Sequence, residues 1–575
     1  MLDLTKYFCL GAALKDALEK FCNETCLIEA DRDKEKARLT YRDFGAQSMS
    51  LARALQDAGF APGTRASMVM TNQSKWLISA YAIFYSGGVL VPIDWMLTPD
   101  EQWELIAHSK AQVLVTEFSL WPRLSKANGR ATASDVKLVL VTEAPANGDL
   151  AGAQRWEAQL ERSCNDNAPP QFVPRQRTDI ACIGYSSGTG GRPKGCMLTH
   201  ENYLEQCSAL TSIYPFWPGV HYLSILPTSH AIDFMVGFVG PFTCGATVVH
   251  LRTLRPEFFR DAFRRYKITY VSVVPLVLKN LRAVFQSRFD ELPKGKRRIF
   301  NALVALNKAL TKSHPRPTLS RKLLAQVHQS LGGELRTIIV GGAFSEPDTL
   351  QFFYDLGIPV ANGYGQTEAC TAITVNDLKP FRADTVGKPL PGIEVKIAEP
   401  DSDGIGEVRV RSKTVMAGYL DDPELTAETI VDGWLHTGDL GRFDSTGHLQ
   451  LFGRRKNMIV TPQGLNIFPE NVEGGFDDLP VEEFCVFAAN YIWPQRTMVG
   501  EQLVLVLRMK KDQTWDDTLR QQIAARNNKL KNYQRIQGVV LTGDEFPRTT
   551  GRRLKRHLLK DRLAQLDRDH AILPL

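Results

Sequence analysis

Residues 185–195 read YSSGTGGRPKG. Four glycines, two serines, a threonine, a proline and a lysine take nine of these eleven positions, so the stretch can bury almost no apolar surface. The run just before it, Ile180–Ser186 (IACIGYS), has the composition of a buried strand and feeds the chain straight into the glycines. Glycine lets backbone N–H groups point inward and approach phosphate oxygens closely. Ser186, Ser187 and Thr189 add hydroxyl donors, Lys194 adds a charge, and Gly188, Gly190 and Gly191 supply the freedom of the loop. That set suits the β- and γ-phosphates of a nucleotide. No GxxxxGK[ST] pattern fits here, and GxGxxG fails because Pro193 stands where the third glycine would be. Read in isolation, the stretch has a flexible surface turn as its alternative.

Outward from this loop the chain alternates two rhythms. Residues 43–58 and 75–85 have helical periodicity, whereas 66–70, 89–92, 113–116, 136–142, Thr247–Leu251 and Thr337–Val340 are short β-branched runs. Such alternation predicts an α/β architecture with largely parallel sheets. Beyond Asp384 the pattern changes. Residues 395–398, Gly406–Arg411 and 449–452 read as short strands joined by turns, a β-rich subdomain. After Arg454 enough chain remains for a small separate α+β domain. The expected division is 1–454 and 455–575.

Composition narrows the class. The 575 residues are 43% apolar and 23% charged, with a net charge of +6. This is globular composition without the strong basicity of a nucleic-acid binder. The ten cysteines are scattered, and only Cys22 and Cys26 are close, with no second pair to complete a zinc site. They are expected to be reduced thiols of a cytoplasmic protein. The start, MLDLTKYFCL, lacks a basic stretch followed by an apolar run, so no signal peptide is expected. The best imitation of a membrane span, residues 231–249 (AIDFMVGFVGPFTCGATVV), is interrupted by Asp233, Pro241 and glycines, and reads as a buried helix beside a pocket. Residues 294–322 carry nine Lys or Arg and no acid, with apolar residues interleaved at roughly helical spacing. This is either a solvated helical face or a peripheral contact for an anionic membrane. Without interleaved stacking aromatics it is not expected to bind nucleic acid.

The run YSSGTGGRPKG closely resembles the phosphate loop of the adenylate-forming superfamily: acyl-CoA synthetases, adenylating domains of peptide synthetases, and luciferases. The usual form there is Y-[ST]-S-G-T-T-G-x-P-K-G, and Gly190 stands where the second threonine is typical. The resemblance continues in order along residues 35–560. LPTSH (226–230) looks like the opening of the carboxylate pocket, with His230 on it. VGGA (340–343) is similar to the stretch bordering adenine, which implies roles for Gly342 and Ala343. NGYGQTE (362–368) resembles the nucleotide and magnesium segment. By that likeness Gly363 borders the substrate pocket, Gly365 lies at the nucleotide, Tyr364 stacks on adenine, Thr367 contacts the α-phosphate and Glu368 holds Mg²⁺. GKPLPG (387–392), GEVRVRS (406–412) and DGWLHTGDLG (432–441) follow, with Asp439 expected on the ribose hydroxyls. LFGRRKNMIVTPQGLNIFPENVE (451–473) resembles the hinge and the start of a mobile domain, with Arg454 on the ribose, Lys456 at the hinge and Gly464 on the loop of the thiol step.

The implied fold has a large N-terminal domain of two doubly wound α/β subdomains plus a β-rich subdomain, followed by a small mobile α+β domain. The implied chemistry is ATP-dependent activation of a carboxylic acid to an acyl-adenylate, with Mg²⁺, and transfer of the acyl group to CoA. Most relatives place a lysine near the C-terminus in P-[KR]-T-x-x-G-K. Here residues 547–556 read PRTTGRRLKR: one residue short, with Arg552 in the lysine's place and Lys555 three positions on. Arginine is larger and forked, so the exchange is not neutral at a tight site. Three outcomes stay open: Arg552 substitutes, Lys555 reaches in, or adenylation is impaired and the protein binds an acyl nucleotide without turnover. The longer gap between VSVVP (271–275), whose Pro275 is expected in the substrate pocket, and GGA resembles bacterial long-chain acyl-CoA synthetases. Phe234 or Met235 would then stand near the acyl gate, with Gly237 and Gly240 leaving room for the chain. Asp233 keeps an amino-acid substrate open, and an aryl acid is the third option. No DSL-type phosphopantetheine site is present, so the thiol is expected from CoA, with a free-standing acyl carrier protein as the alternative.

Overall fold

The segment Ser74–Tyr85 (SKWLISAYAIFY) is buried along its whole length. A helix apolar on every side is stable only where protein covers all of it. Here two sheets do so, since its side chains share one core with Cys26, Leu27, Tyr222 and Val248 of the first sheet and Ala66, Met68, Leu90 and Val113 of the second. The computed structural model describes residues 2–133, 135–164, 169–186, 193–253, 255–460, 466–494, 502–548 and 554–575. Ser187, Gly188, Thr189, Gly190, Gly191, Gly464 and Arg552 lie outside the described residues.

The chain separates into two compact units. One comprises Met1–Val395 with Val410–Leu435, the other Lys396–Arg409 with His436–Leu575. The first unit holds both large sheets. One runs in the order Lys388–Pro389, Thr374–Val375, Val360–Tyr364, Thr337–Val340, Tyr270–Val273, His221–Ser224, Thr247–Leu251, Thr25–Asp31, Lys34–Thr40. Its six middle strands pair in parallel, and the outer ones are antiparallel. The second runs Gly418–Tyr419, Lys194–Thr199, Ile180–Ser186, Val89–Ile93, Arg65–Val69, Val113–Glu117, Leu138–Thr142, Gln154–Arg155. Parallel pairing with helical crossovers is the doubly wound pattern expected from the alternating rhythm.

The stretch 231–249 departs from a single helix. It is helical over Ala231–Phe234, widens to a π turn over Met235–Val239 and resumes over Gly240–Cys244. Gly245, at φ 81°, ends it in the left-handed conformation that a glycine adopts without strain, and Thr247–Leu251 is already a strand. Among the described residues, no helix is long and apolar enough to cross a membrane. The nine described cysteines are free thiols.

In the second unit, an antiparallel ribbon pairs Asp439 with Arg454 directly across its strands. A further sheet runs Glu483–Ala488, Leu503–Arg508, Gly538–Thr542, Ile572–Pro574. The helix Asp517–Asn527 buries Leu519 and Ile523 in one core, and Arg556–Leu563 buries Leu559 and Leu563 in another. This is the α+β composition expected after Arg454.

Candidate active site

The strands on either side of the glycine-rich run pair with each other, antiparallel. Ile180–Ser186 pairs with Lys194–Thr199, and Ser186 lies opposite Lys194 at the mouth of the loop. Tyr185 anchors the stem, its hydroxyl donating to the Leu105 carbonyl at 3.1 Å and lying 2.8 Å from His108 Nδ1. The segment NGYGQTE reaches the same mouth from the other sheet. Strand Val360–Tyr364 ends at Tyr364, and a short helical turn, Thr367–Ala369, follows. Glu368 Oε1 accepts the Ser186 hydroxyl at 3.0 Å and the Tyr419 hydroxyl at 3.0 Å. The Lys194 ammonium lies 5.2 Å above the Tyr419 ring. Burial and the neighbouring Glu368 push the Tyr419 phenol up, which keeps it a donor to the carboxylate. Thr367 packs beside Gly184, where an added Cβ would come within 3.2 Å of its methyl. Ser186, Lys194, Thr367 and Glu368, spread over more than 180 positions of sequence, thus converge on one loop mouth.

The turn carrying Glu368 tolerates no side chain at Gly365. A Cβ there would sit 1.7 Å from the Thr371 carbonyl oxygen and 2.8 Å from Ala372 Cα. Cys370 follows in the left-handed region, at φ 64°. Gly342, at φ 86°, follows the strand Thr337–Val340, and Ile232 Cδ1 stands 3.7 Å from a Cβ built on Gly341 and 3.9 Å from one on Gly342. The same turn touches the segment after His230, since Thr371 Oγ1 donates to the Ala231 carbonyl at 3.2 Å. Gly363, Tyr364, Gly342 and the residues from His230 onward therefore belong to one neighbourhood. Ala343 continues the chain from Gly342, and Pro275 opens the helix Pro275–Asp290 at the end of strand Tyr270–Val273.

Two residues that pattern reading missed fix the LPTSH segment. Asn72 donates to Ser224 Oγ at 3.1 Å and to the Leu226 carbonyl at 2.6 Å, and its own oxygen accepts the Thr228 N–H at 2.9 Å. Asp94 holds His230, with Oδ2 and Nε2 3.0 Å apart. Tyr419 is a third. All three come from strands or loops more than 50 positions from their partners, and no local motif announces such pairs.

The expected pocket lining needs correction. Asp233 is fully buried and accepts three hydroxyls: Tyr222 at 3.1 Å, Ser224 at 2.8 Å and Thr228 at 2.9 Å. It ties the helix to strand His221–Ser224, so its carboxylate is already used by the protein. Gly237 makes room for that carboxylate, whose oxygens would lie 2.8–2.9 Å from an added Cβ, and Gly240 accommodates Met235 and Phe216. Phe234 packs edge-on against Trp76, Phe84, Tyr203 and Phe238, and Met235 lies in the same core.

Burial pushes the Asp233 carboxyl up to about 6, against the three hydroxyls that pull it down. The folded chain thus holds this proton more tightly than the unfolded chain does. The associated stability is fully present below the ordinary value of 3.8 and is lost as pH rises through about 6. We expect the unfolding free energy of the parent, relative to Asp233→Asn, to fall by about 1 kcal/mol between pH 5 and pH 7. Denaturant unfolding at the two pH values reads this directly; a constant difference would place the titration outside this range.

In the second unit, Arg454 Nε lies 2.9 Å from Asp439 Oδ1, the contact that their opposed register positions dictate. Asp439 also receives order from Thr437, whose hydroxyl accepts the Asp439 N–H at 3.1 Å. Lys456 lies in the short turn Arg455–Asn457, immediately after the ribbon. Nearer the C-terminus, Arg548 pairs with Glu483 at 2.9 Å, and the partly buried Arg556 pairs with Glu473. Lys555 caps the helix Arg556–Leu563, its N–H donating to the Pro547 carbonyl at 2.7 Å.

Residues 14–420, most of the chain, match the AMP-binding enzyme family. The chain belongs to that family. Similar curated proteins include the 3-[(3aS,4S,7aS)-7a-methyl-1,5-dioxo-octahydro-1H-inden-4-yl]propanoyl:CoA ligase of Rhodococcus jostii, 28% identical over 80% of this chain and 82% of that protein. The long-chain-fatty-acid–CoA ligase FadD15 of Mycobacterium bovis is 28% identical over 76% of this chain and 72% of its own length. Among solved structures, the anthranilate CoA ligase AuaEII in complex with anthranoyl-AMP superposes with a TM-score of 0.77 at 20% identity, covering 98% of this chain and 99% of that one. This AMP-binding enzyme is an AMP-forming acid–thiol ligase.

The residues present fit a magnesium ion. Among the described residues no cluster of three His, Cys, Asp or Glu could hold a metal unaided. Mg²⁺ binds through one or two carboxylates plus substrate phosphates and keeps several waters. Glu368, a hard oxygen donor beside Ser186 at the start of the glycine-rich run, meets that requirement.

Proposed function

We propose that this enzyme activates a medium- or long-chain fatty acid as its acyl-adenylate and passes the acyl group to CoA. A free carboxylate is a poor acyl donor, because its anion repels nucleophiles and its leaving group would be oxide. In the first step a carboxylate oxygen attacks the α-phosphorus of ATP and the bond to pyrophosphate breaks. In the second the CoA sulfur attacks the acyl carbon, its proton is lost, and AMP departs. The protein supplies positioning and charge neutralisation. Lys194 and the loop N–H groups stabilise the departing pyrophosphate, Thr367 orients the α-phosphate, and Tyr364 with Gly342 and Ala343 borders the adenine. Glu368 would hold Mg²⁺, which supplies further charge neutralisation. Asp439 and Arg454 take the ribose. Lys456 is the pivot about which residues 455–575 move between the two steps, and Gly464 serves the second.

The observation that separates a fatty acid from an amino acid is the state of Asp233, the one carboxylate in the segment that follows His230, which is consumed by three hydroxyls. No carboxylate there is left to pair with a substrate amine, which disfavours an amino acid. The long-chain ligase FadD15 among the similar proteins supports the same reading. Arg552 takes the role of the usual lysine, because it stands in that lysine's place after Gly551 and keeps the positive charge.

The test is acyl-CoA formation with C8 to C18 fatty acids, benzoate and amino acids, offering either CoA or a free acyl carrier protein. We expect thioester from fatty acids with CoA. We expect a loss of about 10²–10³-fold in Arg552→Ala and little change in Lys555→Ala. Product only from benzoate or amino acids would overturn the substrate, product only on the carrier protein would overturn the acceptor, and an unaffected Arg552→Ala would overturn the role of that arginine.

A further inference from the structure

We propose that the outer face of the helix Lys294–Thr311 docks this protein on an anionic membrane surface. The helix has two apolar faces, and the fold uses one. Phe300, Leu303 and Val304 pack against the core that contains Phe353 and Leu356, with Phe300 4.3 Å from the Phe289 ring. Asn307 and Thr311 complete the buried side, and the Asn307 amide donates to the Asp355 carbonyl at 3.0 Å. On the opposite side Ile299, Ala302, Leu306, Ala309 and Leu310 recur at spacings of three and four, so they share one stripe. Ile299 is 64% exposed, Leu306 45% and Leu310 39%. Such a row of large aliphatic side chains is an excess that the monomer's own core does not explain.

The charges sort by face in the same way. Arg297 and Lys308, on the edge nearer the body, pair with Asp290 at 2.6 Å and with Asp355 at 3.0 Å. Lys296 flanks the outer stripe on one side, and Lys294, Arg298 and Lys312 flank it on the other. These four make no ion pair among the described residues. No acid occurs anywhere in residues 294–322. An apolar stripe bordered by unpaired cations is the arrangement of a helix that lies in a membrane interface, with its aliphatic side chains in the acyl boundary and its cations among the headgroups. A second copy of the chain would bring the same cations opposite themselves, which charge repulsion opposes. Anionic headgroups complement both features. The inference is independent of which acid is activated and of whether turnover occurs.

The full-length chain is sedimented with vesicles of phosphatidylcholine alone or of phosphatidylcholine mixed with phosphatidylserine. We expect binding to the mixed vesicles that weakens as salt is added. Ile299→Glu/Leu306→Glu and Lys296→Glu/Arg298→Glu should each reduce it about tenfold or more. All four side chains are exposed, so melting temperatures should match the parent, which separates loss of docking from loss of fold. Failure to bind, equal binding to both vesicle types, or binding unchanged in both variants would overturn the proposal. So would a vesicle-free dimer that Ile299→Glu/Leu306→Glu dissolves, because the stripe would then be an interface between copies.

Discussion

Replacing Glu368 by glutamine is expected to cut acid-dependent ATP–pyrophosphate exchange by about 10²–10³-fold. Glutamine keeps the side-chain oxygen that accepts the hydroxyls of Ser186 and Tyr419, so the loop mouth should hold its shape. What disappears is the charge. A neutral amide beside a triphosphate offers Mg²⁺ no anionic ligand, and the Mg²⁺ concentration giving half-maximal rate should rise along with the drop in rate. The melting temperature of the ligand-free protein should stay close to the parent value. Full exchange at unchanged Mg²⁺ demand in Glu368→Gln would remove this carboxylate from the metal site.

The second large effect is structural. Gly365→Ala should destabilise the first unit by about 3 kcal/mol or more and abolish exchange. The new Cβ would meet backbone, the Thr371 carbonyl oxygen at 1.7 Å, and backbone cannot rotate out of the way as a side chain can. The turn carrying Glu368 would have to move as a whole. Gly392→Ala is the control. Its φ is 79°, yet nothing lies within 4 Å of an added Cβ, so only the cost of the left-handed backbone remains, about 1 kcal/mol. Unfolding curves for the two variants separate crowding from conformational strain. Equal costs would show that the close approach at Gly365 relaxes freely.

The strand that feeds the glycine-rich run was legible residue for residue, and Ile180–Ser186 folds with the bounds its composition suggests. Strands Thr247–Leu251 and Thr337–Val340 were equally plain. Buried parallel strands are short, β-branched and bounded by turns, so local composition suffices for them. Residues 231–249 were less so. Apolar content alone could not reveal a π turn at Met235–Val239 or the passage into a strand beyond Gly245, because both depend on what packs around them. The partners of the site were hidden for a related reason. Tyr419 reaches Glu368 because Gly418–Tyr419 adds to the edge of Lys194–Thr199, and edge pairing between distant segments leaves no periodic trace. Asn72 and Asp94, which follow strands of the second sheet, reach Thr228 and His230 after a strand of the first, and contacts between two sheets leave no local trace either. Asp233 was misjudged because a carboxylate in an apolar run looks the same in sequence whether it awaits a ligand or has three hydroxyls already.

The measurement that bears most directly on the account is ATP–pyrophosphate exchange by the parent enzyme, without thiol, across C8 to C18 fatty acids. The account predicts label moving from pyrophosphate into ATP only when a fatty acid and Mg²⁺ are both present, because the acyl-adenylate then forms reversibly at the mouth built by Ser186, Lys194 and Glu368. Silence across the whole panel, from protein that still binds ATP, would contradict it and leave a nucleotide-binding protein that does not activate fatty acids.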